Sequence, residues 1–126
     1  MRNITSIVTV TYNSRLQLLE TIESVKLQKN IGALIEFIVI DGNSTDGTKD
    51  VINDNELIID YHISEPDRGI YDAMNKGLKM ATGDSILFLN SGDVFTDTFD
   101  LGNFQKKYNL AQDCIFCRTI QVFGSD

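Results

Sequence analysis

Acidic and small polar residues recur at four points along this chain, each directly after an apolar run. Thr11, Tyr12 and Asn13 follow the first run, and Asp41, Gly42, Asn43, Ser44 and Asp46 the second. Glu65, Asp67, Arg68 and Gly69 follow the third, and Asn90, Ser91, Gly92 and Asp93 the fourth. Carboxylate and amide oxygens of this kind accept hydrogen bonds from ligand hydroxyls or face a hard cation. Each cluster also has a plain structural reading. DGNSTDGT reads equally as a turn with Ser44 or Thr45 capping the next helix. Asp67-Arg68-Gly69 reads as a helix-initiating turn with its acid set against the macrodipole. Asn90-Ser91-Gly92-Asp93 alone reads as a turn. Acids at three of four successive strand ends are what favour a shared site, because ligands of open parallel α/β sheets bind outside the carboxyl ends of the strands.

Cys114 and Cys117 stand in the spacing C-x-x-C. A redox pair or half a zinc site is the sharp interpretation. The segment around them, DCIFCRTIQVF, is rich in β-formers, and a separation of three puts the two thiols on opposite faces of a strand. A zinc site needs a second ligand pair, and the only histidine, His62, belongs to a different predicted strand. Two small strand residues are the better reading.

The elements that must position these clusters alternate regularly. Residues 4–11 are β-branched and apolar, which predicts a strand. Ser14 and Gln17 form a capping-box pattern ahead of a helix whose stripe is Leu18, Leu19, Ile22 and Val25. Residues 34–40 predict a second strand, 48–53 a short helix and 57–63 a third strand. Ile70, Ala73, Met74, Gly77, Leu78 and Ala81 recur at helical spacing, with Gly83 as the expected C-cap and Asp72, Asn75, Lys76 and Lys79 on the other face. Residues 85–89 predict a strand, 97–110 a weak helix and 114–123 a last strand. Alternation of this kind, with strands apolar on both faces, predicts an α/β fold: a mostly parallel sheet covered by helices on both faces.

The chain has 126 residues, 42% of them apolar, and one proline, which suits one compact domain over residues 1–126. A net charge of -7 opposes binding to nucleic acid or anionic lipid. No signal peptide or membrane span is expected, and the cytoplasm is the expected compartment. The chain stops at FGSD directly after a predicted strand, which reads as a truncated domain.

Val10-Thr11-Tyr12-Asn13, then IVIDGNSTDGT, then EPDRGIYDAMNKGLKMATGD, then ILFLNSGD resembles the family 2 glycosyltransferases of the GT-A fold. The order and spacing match the first half of that family's domain over nearly the whole chain. GIYDAMNKGL followed by FLNSGD resembles the bacterial members that build capsular and exopolysaccharides. The resemblance implies inverting transfer from a nucleotide-diphosphate sugar, UDP-linked, to a saccharide or lipid-linked acceptor, with this chain as the nucleotide-sugar-binding part. It implies that Asp41 recognises the uracil or ribose side, that Val10, Thr11 and Tyr12 wall the base pocket, and that Asp67, Arg68 and Gly69 close over the nucleotide. The binding set on this reading is Val10, Thr11, Tyr12, Asn13, Asp41, Asn43, Asp67, Arg68, Gly69, Asn90 and Ser91. The whole protein is expected in the cytoplasm, at the inner face of the membrane.

The family's DXD turn holds magnesium or manganese on the diphosphate. Here LNSGD stands where LDADD is usual, so Asn90 and Gly92 replace two aspartates and Asp93 alone keeps its carboxylate as metal ligand. A single carboxylate is a weak anchor for a cation that wants about six oxygens. The acceptor hydroxyl also needs a general base, which the resemblance puts beyond residue 126. A non-catalytic nucleotide-binding module is therefore the alternative. A dinucleotide-binding enzyme is excluded, because TYNSRL stands where its G-x-G-x-x-G would follow the first strand.

Overall fold

The computed structural model describes residues 3–107. The expected strand over 114–123, with Cys114 and Cys117, lies outside the described residues. Four parallel strands form one sheet in the order β3-β2-β1-β4: β1 (Thr5–Thr11), β2 (Ile35–Asp41), β3 (Tyr61–Ser64) and β4 (Ser85–Phe88). Between and after them run α1 (Arg15–Asn30), α2 (Thr48–Asp54), α3 (Ile70–Met80) and α4 (Leu101–Lys107). This is the expected α/β architecture.

Period-two alternation sorts the strand residues between two cores. Ile7, Phe37 and Val39 face α1, together with Leu18, Ile22 and Val25 of that helix, Ile52 of α2 and Leu101 of α4. Val8, Ile38 and Ile40 face the other way, against Ala73 of α3. Each side chain buried completely on either face contributes about 1.5–3 kcal/mol. Gly77 sets how close α3 comes: a Cβ there would lie 2.3 Å from Val8 Cγ1.

α4 is anchored by polar groups more than by its length. Buried Gln28 of α1 donates to the Phe99 carbonyl at 2.9 Å and accepts from the Leu101 amide at 2.8 Å. Buried Gln105 brackets Leu34, accepting from its amide and donating to its carbonyl, and also donates to Thr5 Oγ1. Phe95 and Phe99 stack at 5.5 Å beneath them.

Several boundaries move for identifiable reasons. Leu19 of the expected α1 stripe is 39% exposed, and buried Thr21 and Gln28 complete the inner face instead. Residues 57–60 are not strand. Asn55 reverses the chain after α2, accepting from the Ile58 and Ile59 amides, so Ile59 is buried in a turn and Leu57 projects into water. Asp60 then takes both hydrogen-bonding groups of Phe37, its amide donating to the Phe37 carbonyl and its carboxylate accepting from the Phe37 amide. Gly83 is not the helix cap. Ala81 ends α3 in an extended conformation. Gly83 instead lies so close to β1 that a Cβ would sit 2.7 Å from the Ile4 carbonyl oxygen.

That crossing holds a carboxylate with a pH signature. Glu36 accepts from the Thr82 amide and hydroxyl and from the Ser6 hydroxyl. Partial burial alone would raise its pKa, but these bonds, with the Gly83 amide, together outweigh burial and hold it below the ordinary 4.5. A depressed carboxyl pKa adds stability that is complete above the unfolded-state value and lost as pH falls through the folded one. The urea midpoint is therefore expected to be flat from pH 7 to about 5.5 and to fall at lower pH, with Glu36→Gln flattening part of that fall. A Glu36→Gln profile that overlays the parent's would refute the assignment.

Candidate functional site at the strand ends

The carboxyl ends of the strands bring the four clusters together, and the loops are fastened to one another by side chains. Asn13, with a left-handed φ of 45°, accepts from the Thr45 amide through Oδ1, and its own amide donates to Ser44 Oγ. The Gly42 amide donates to the Thr11 carbonyl at 3.0 Å, extending the β1–β2 ladder beyond its last pair. Ser14 does not close the expected capping box, for its hydroxyl donates to the Tyr12 carbonyl. The free first amide of α1, on Arg15, goes instead to Asp46 Oδ2 in the neighbouring loop.

Asp46 also accepts the Thr48 amide and hydroxyl, so one carboxylate caps both α1 and α2. The Thr48 hydroxyl is the main cause of its lowered pKa, aided by the Thr48 and Arg15 amides. Sequence reasoning gave that cap to Ser44 or Thr45.

Asp41 does not face the rim. It is fully buried, with one carboxylate oxygen accepting the Ser44 hydroxyl and the other the Ser44 amide at 3.1 Å. Its carboxylate is closed off by Ser44 and withdrawn from solvent. The i, i+3 pair Asp41 and Ser44 is an Asx-type turn, a signal present in the sequence.

The surface above it is made by Tyr12, Gly42 and Asp67. A Cβ on Gly42 would lie 3.2 Å from Tyr12 Cδ1 and 2.9 Å from Asp67 Oδ2. A 60%-exposed phenol ring and a carboxylate thus flank bare backbone. Val10 lies half-buried on the α3 side of β1, while Thr11 is buried on the other with its hydroxyl unpartnered. Asn43 holds a φ of 72° and accepts from Lys49.

The loop before α3 is self-supporting. Asp67 Oδ1 accepts the Gly69 amide, and Asp72 accepts the Arg68 amide. Lys76 ties the flank to Glu65 at 3.2 Å and to the Pro66 carbonyl at 2.9 Å. Gly69 has φ 119° and ψ -178°, a conformation nearly restricted to glycine. The Arg68 guanidinium makes no hydrogen bond or ion pair among the described residues and is free to meet an anion.

On the opposite flank the Asn90–Asp93 turn is docked on α1. The Ser91 amide donates to the Val10 carbonyl, and the Gly92 amide to Thr21 Oγ1, which itself donates to the Asp93 carbonyl. The Asp93 carboxylate is exposed, and one of its oxygens already accepts the Asn90 amide at 3.0 Å. Asn90 Oδ1 is buried without a partner. These residues do not build a cation cage. The turn offers one carboxylate half-committed to its own closure, and no cluster of three His, Cys, Asp or Glu suited to a metal occurs among the described residues.

A parallel sheet in the order β3-β2-β1-β4, with acids and amides gathered at its carboxyl edge, defines a doubly wound α/β domain, the class of fold in which ligands bind at the strand ends. The family follows from comparison: residues 6–126 match the family model described as glycosyl transferase family 2, and the chain belongs to that family. It is 43% identical over 91 residues to an uncharacterized glycosyltransferase of Mycobacterium tuberculosis, covering 72% of this chain and 34% of that protein. It is 32% identical to a putative teichuronic acid biosynthesis glycosyltransferase of Bacillus subtilis, over 90% of this chain and 45% of the relative. The chain therefore spans about a third to a half of the length of these relatives.

Among solved structures, a mannosyltransferase from Pyrobaculum calidifontis, in complex with GDP-Man and Mn2+, shares the fold with a TM-score of 0.69 at 22% identity. The match covers 88% of this chain and 32% of the mannosyltransferase. TarS of S. aureus (residues 1–349), in complex with UDP-GlcNAc, aligns with a TM-score of 0.62 at 24% identity, over 84% of this chain and 30% of TarS. Both establish the fold as the amino-terminal part of a GT-A domain. No helix among the described residues is long and apolar enough to cross a membrane.

Proposed function

We propose that this chain is the donor-binding part of an inverting glycosyltransferase that moves a sugar from a uridine-diphosphate sugar to a saccharide or lipid-linked acceptor in bacterial surface polysaccharide synthesis. The observation that carries this reading is the wall of Tyr12, Gly42 and Asp67. It combines an exposed ring for a base to stack on, bare backbone for close approach, and a carboxylate for hydroxyls. The teichuronic acid relative supports the polymer class, and the complexes of the mannosyltransferase with GDP-Man and of TarS with UDP-GlcNAc support a nucleotide sugar as donor.

In this reading Tyr12 and Val10 wall the base, Asp67 and Gly69 close over the nucleoside, and the free Arg68 guanidinium faces the diphosphate. Guanidinium suits that task because it binds phosphate oxygens in pairs and always carries charge. Negative charge grows on the departing diphosphate during transfer, so a cation held there stabilises the transition state more than the ground state. Asn90, Ser91 and Asn13 line the sugar side, and Asn43 the outer rim. Asp41 holds the floor under the ligand. The general base is assigned to sequence beyond residue 126, and the reaction site is placed in the cytoplasm.

Asp93 is the one carboxylate at this turn that would meet magnesium or manganese, and the diphosphate would have to supply most of the other oxygens. A single observation, the lone carboxylate at this turn, favours the second reading of a nucleotide-binding module without turnover.

A thermal-shift panel of UDP, UDP-GlcNAc, GDP, GDP-Man and ADP, with and without manganese, tests the proposal. Uridine ligands at about a hundred times their Kd are expected to add about 2.7 kcal/mol, and the other bases distinctly less. Manganese alone should shift the melt little, and more with UDP present, since coupling between two ligands is reciprocal. Equal shifts for every base, or none, would reject a base-specific pocket.

A further inference from the structure

α1 carries apolar residues on two faces. Leu18, Ile22 and Val25 are buried in the core, yet Leu16 is 64% exposed and Leu27 55% exposed on the outward side. Leu19 lies between them, and the segment after the Asn90–Asp93 turn runs alongside and adds Val94, also exposed. Together they line an open groove of about 680 Å³. From Leu16 to Leu27 is eleven residues, or about 16 Å of helix, the length of roughly three helical turns.

Three carboxylates border the groove, those of Glu20, Glu23 and Asp97. None makes a hydrogen bond or ion pair among the described residues, and no lysine or arginine lines the groove. We propose that this groove docks a cationic amphipathic helix of a partner protein, with apolar anchors at helical spacing against Leu16, Leu19 and Leu27 and lysine or arginine against Glu20, Glu23 and Asp97. Helix-in-groove recognition has this form: apolar anchors supply affinity, and charges at the rim supply rate and selectivity.

Charge separates this occupant from the others. A second copy would bring the same acids and a net charge of -7 to the contact. Residues 108–126 carry Asp113 and Asp126 against Arg118 alone, so they cannot neutralise the groove. An anionic membrane is repelled by the same carboxylates. The inference is independent of the donor site, since none of its residues is assigned to the nucleotide.

The test is fluorescence anisotropy on the full chain, using a labelled 14-residue model peptide of leucine and lysine at helical spacing and its leucine and glutamate counterpart. The lysine peptide is expected to bind and to weaken in 0.5 M salt, and the glutamate peptide not to bind. Leu16→Ser with Leu27→Ser, and separately Glu20→Lys with Glu23→Lys, should each weaken the lysine peptide about tenfold. The lysine pair should also admit the glutamate peptide. Circular dichroism checks that each variant is folded. Asp54→Lys with Glu56→Lys, exposed acids outside the groove, should change affinity less than about twofold.

Equal loss from that control pair would mean diffuse attraction and would overturn the proposal. So would displacement of the lysine peptide by a synthetic peptide of residues 108–126. Concentration-dependent dimerisation abolished by the leucine pair would assign the groove to a second copy, and binding to anionic vesicles abolished by it would assign a membrane. Either result also overturns the proposal.

Discussion

Asp41→Ala is expected to lower the melting temperature by about 10 °C, corresponding to roughly 2–3 kcal/mol in a domain of this size. The carboxylate is fully buried and accepts both the hydroxyl and the amide of Ser44. Alanine would strand two buried donors, and an unsatisfied buried group costs about 1–3 kcal/mol. The damage should spread, because Ser44 Oγ also receives the Asn13 amide and so joins the loops after β1 and β2. Asp41→Asn keeps one acceptor and should cost less than half as much. Nucleotide affinity should fall with Asp41→Ala as a consequence of the loosened loops, and recover partly in the asparagine variant. A melt within about 2 °C of the parent, with affinity lost, would return Asp41 to direct ligand contact.

Gly77→Ala is expected to destabilise by about 2 kcal/mol although alanine is the better helix former. Propensity favours the change by about 1 kcal/mol. Against it stands a Cβ 2.3 Å from Val8 Cγ1 and 3.2 Å from Cγ2. Val8 is fully buried on an inner strand of the sheet. Overpacking of this kind costs about 1–3 kcal/mol, and the upper end fits a clash against the middle of a sheet. Val8→Ala removes both methyls, so the double variant should be more stable than the summed single effects by about 1–2 kcal/mol. Chemical denaturation of the four proteins measures the cycle. Strict additivity would mean that α3 rides further from the sheet than the structure has it.

Elements with one strong period were legible in the sequence. α3 carries apolar residues at helical spacing, and its observed span Ile70–Met80 falls one residue short of the expected end. The run over 57–60 misled because apolarity was taken as a strand signal. Asn55 turns the chain locally, and Asp60 fixes its path through bonds to Phe37, 23 residues earlier, which no local pattern reveals. The clustering of the strand-end residues followed from topology alone. Their individual orientations did not. Nothing in the residue type separates a carboxylate turned inward, as on Asp41, from one left beside an exposed ring, as on Asp67. That difference is fixed by Ser44 three residues on and by the backbone of Gly42.

The strand order has a consequence for how the chain comes to be made. β1 lies between β2 and β4, and Thr5 pairs with Ser85, 80 residues further along. A ribosome adding about 5–20 residues per second therefore leaves one side of β1 without its neighbour for roughly 4–16 s. During that wait Ile7, Val8 and Val10 belong to a nascent strand with an open hydrogen-bonding edge, the kind of surface that captures other chains. A strand buried in the middle of the described sheet thus waits the longest of the two inner strands for its second neighbour.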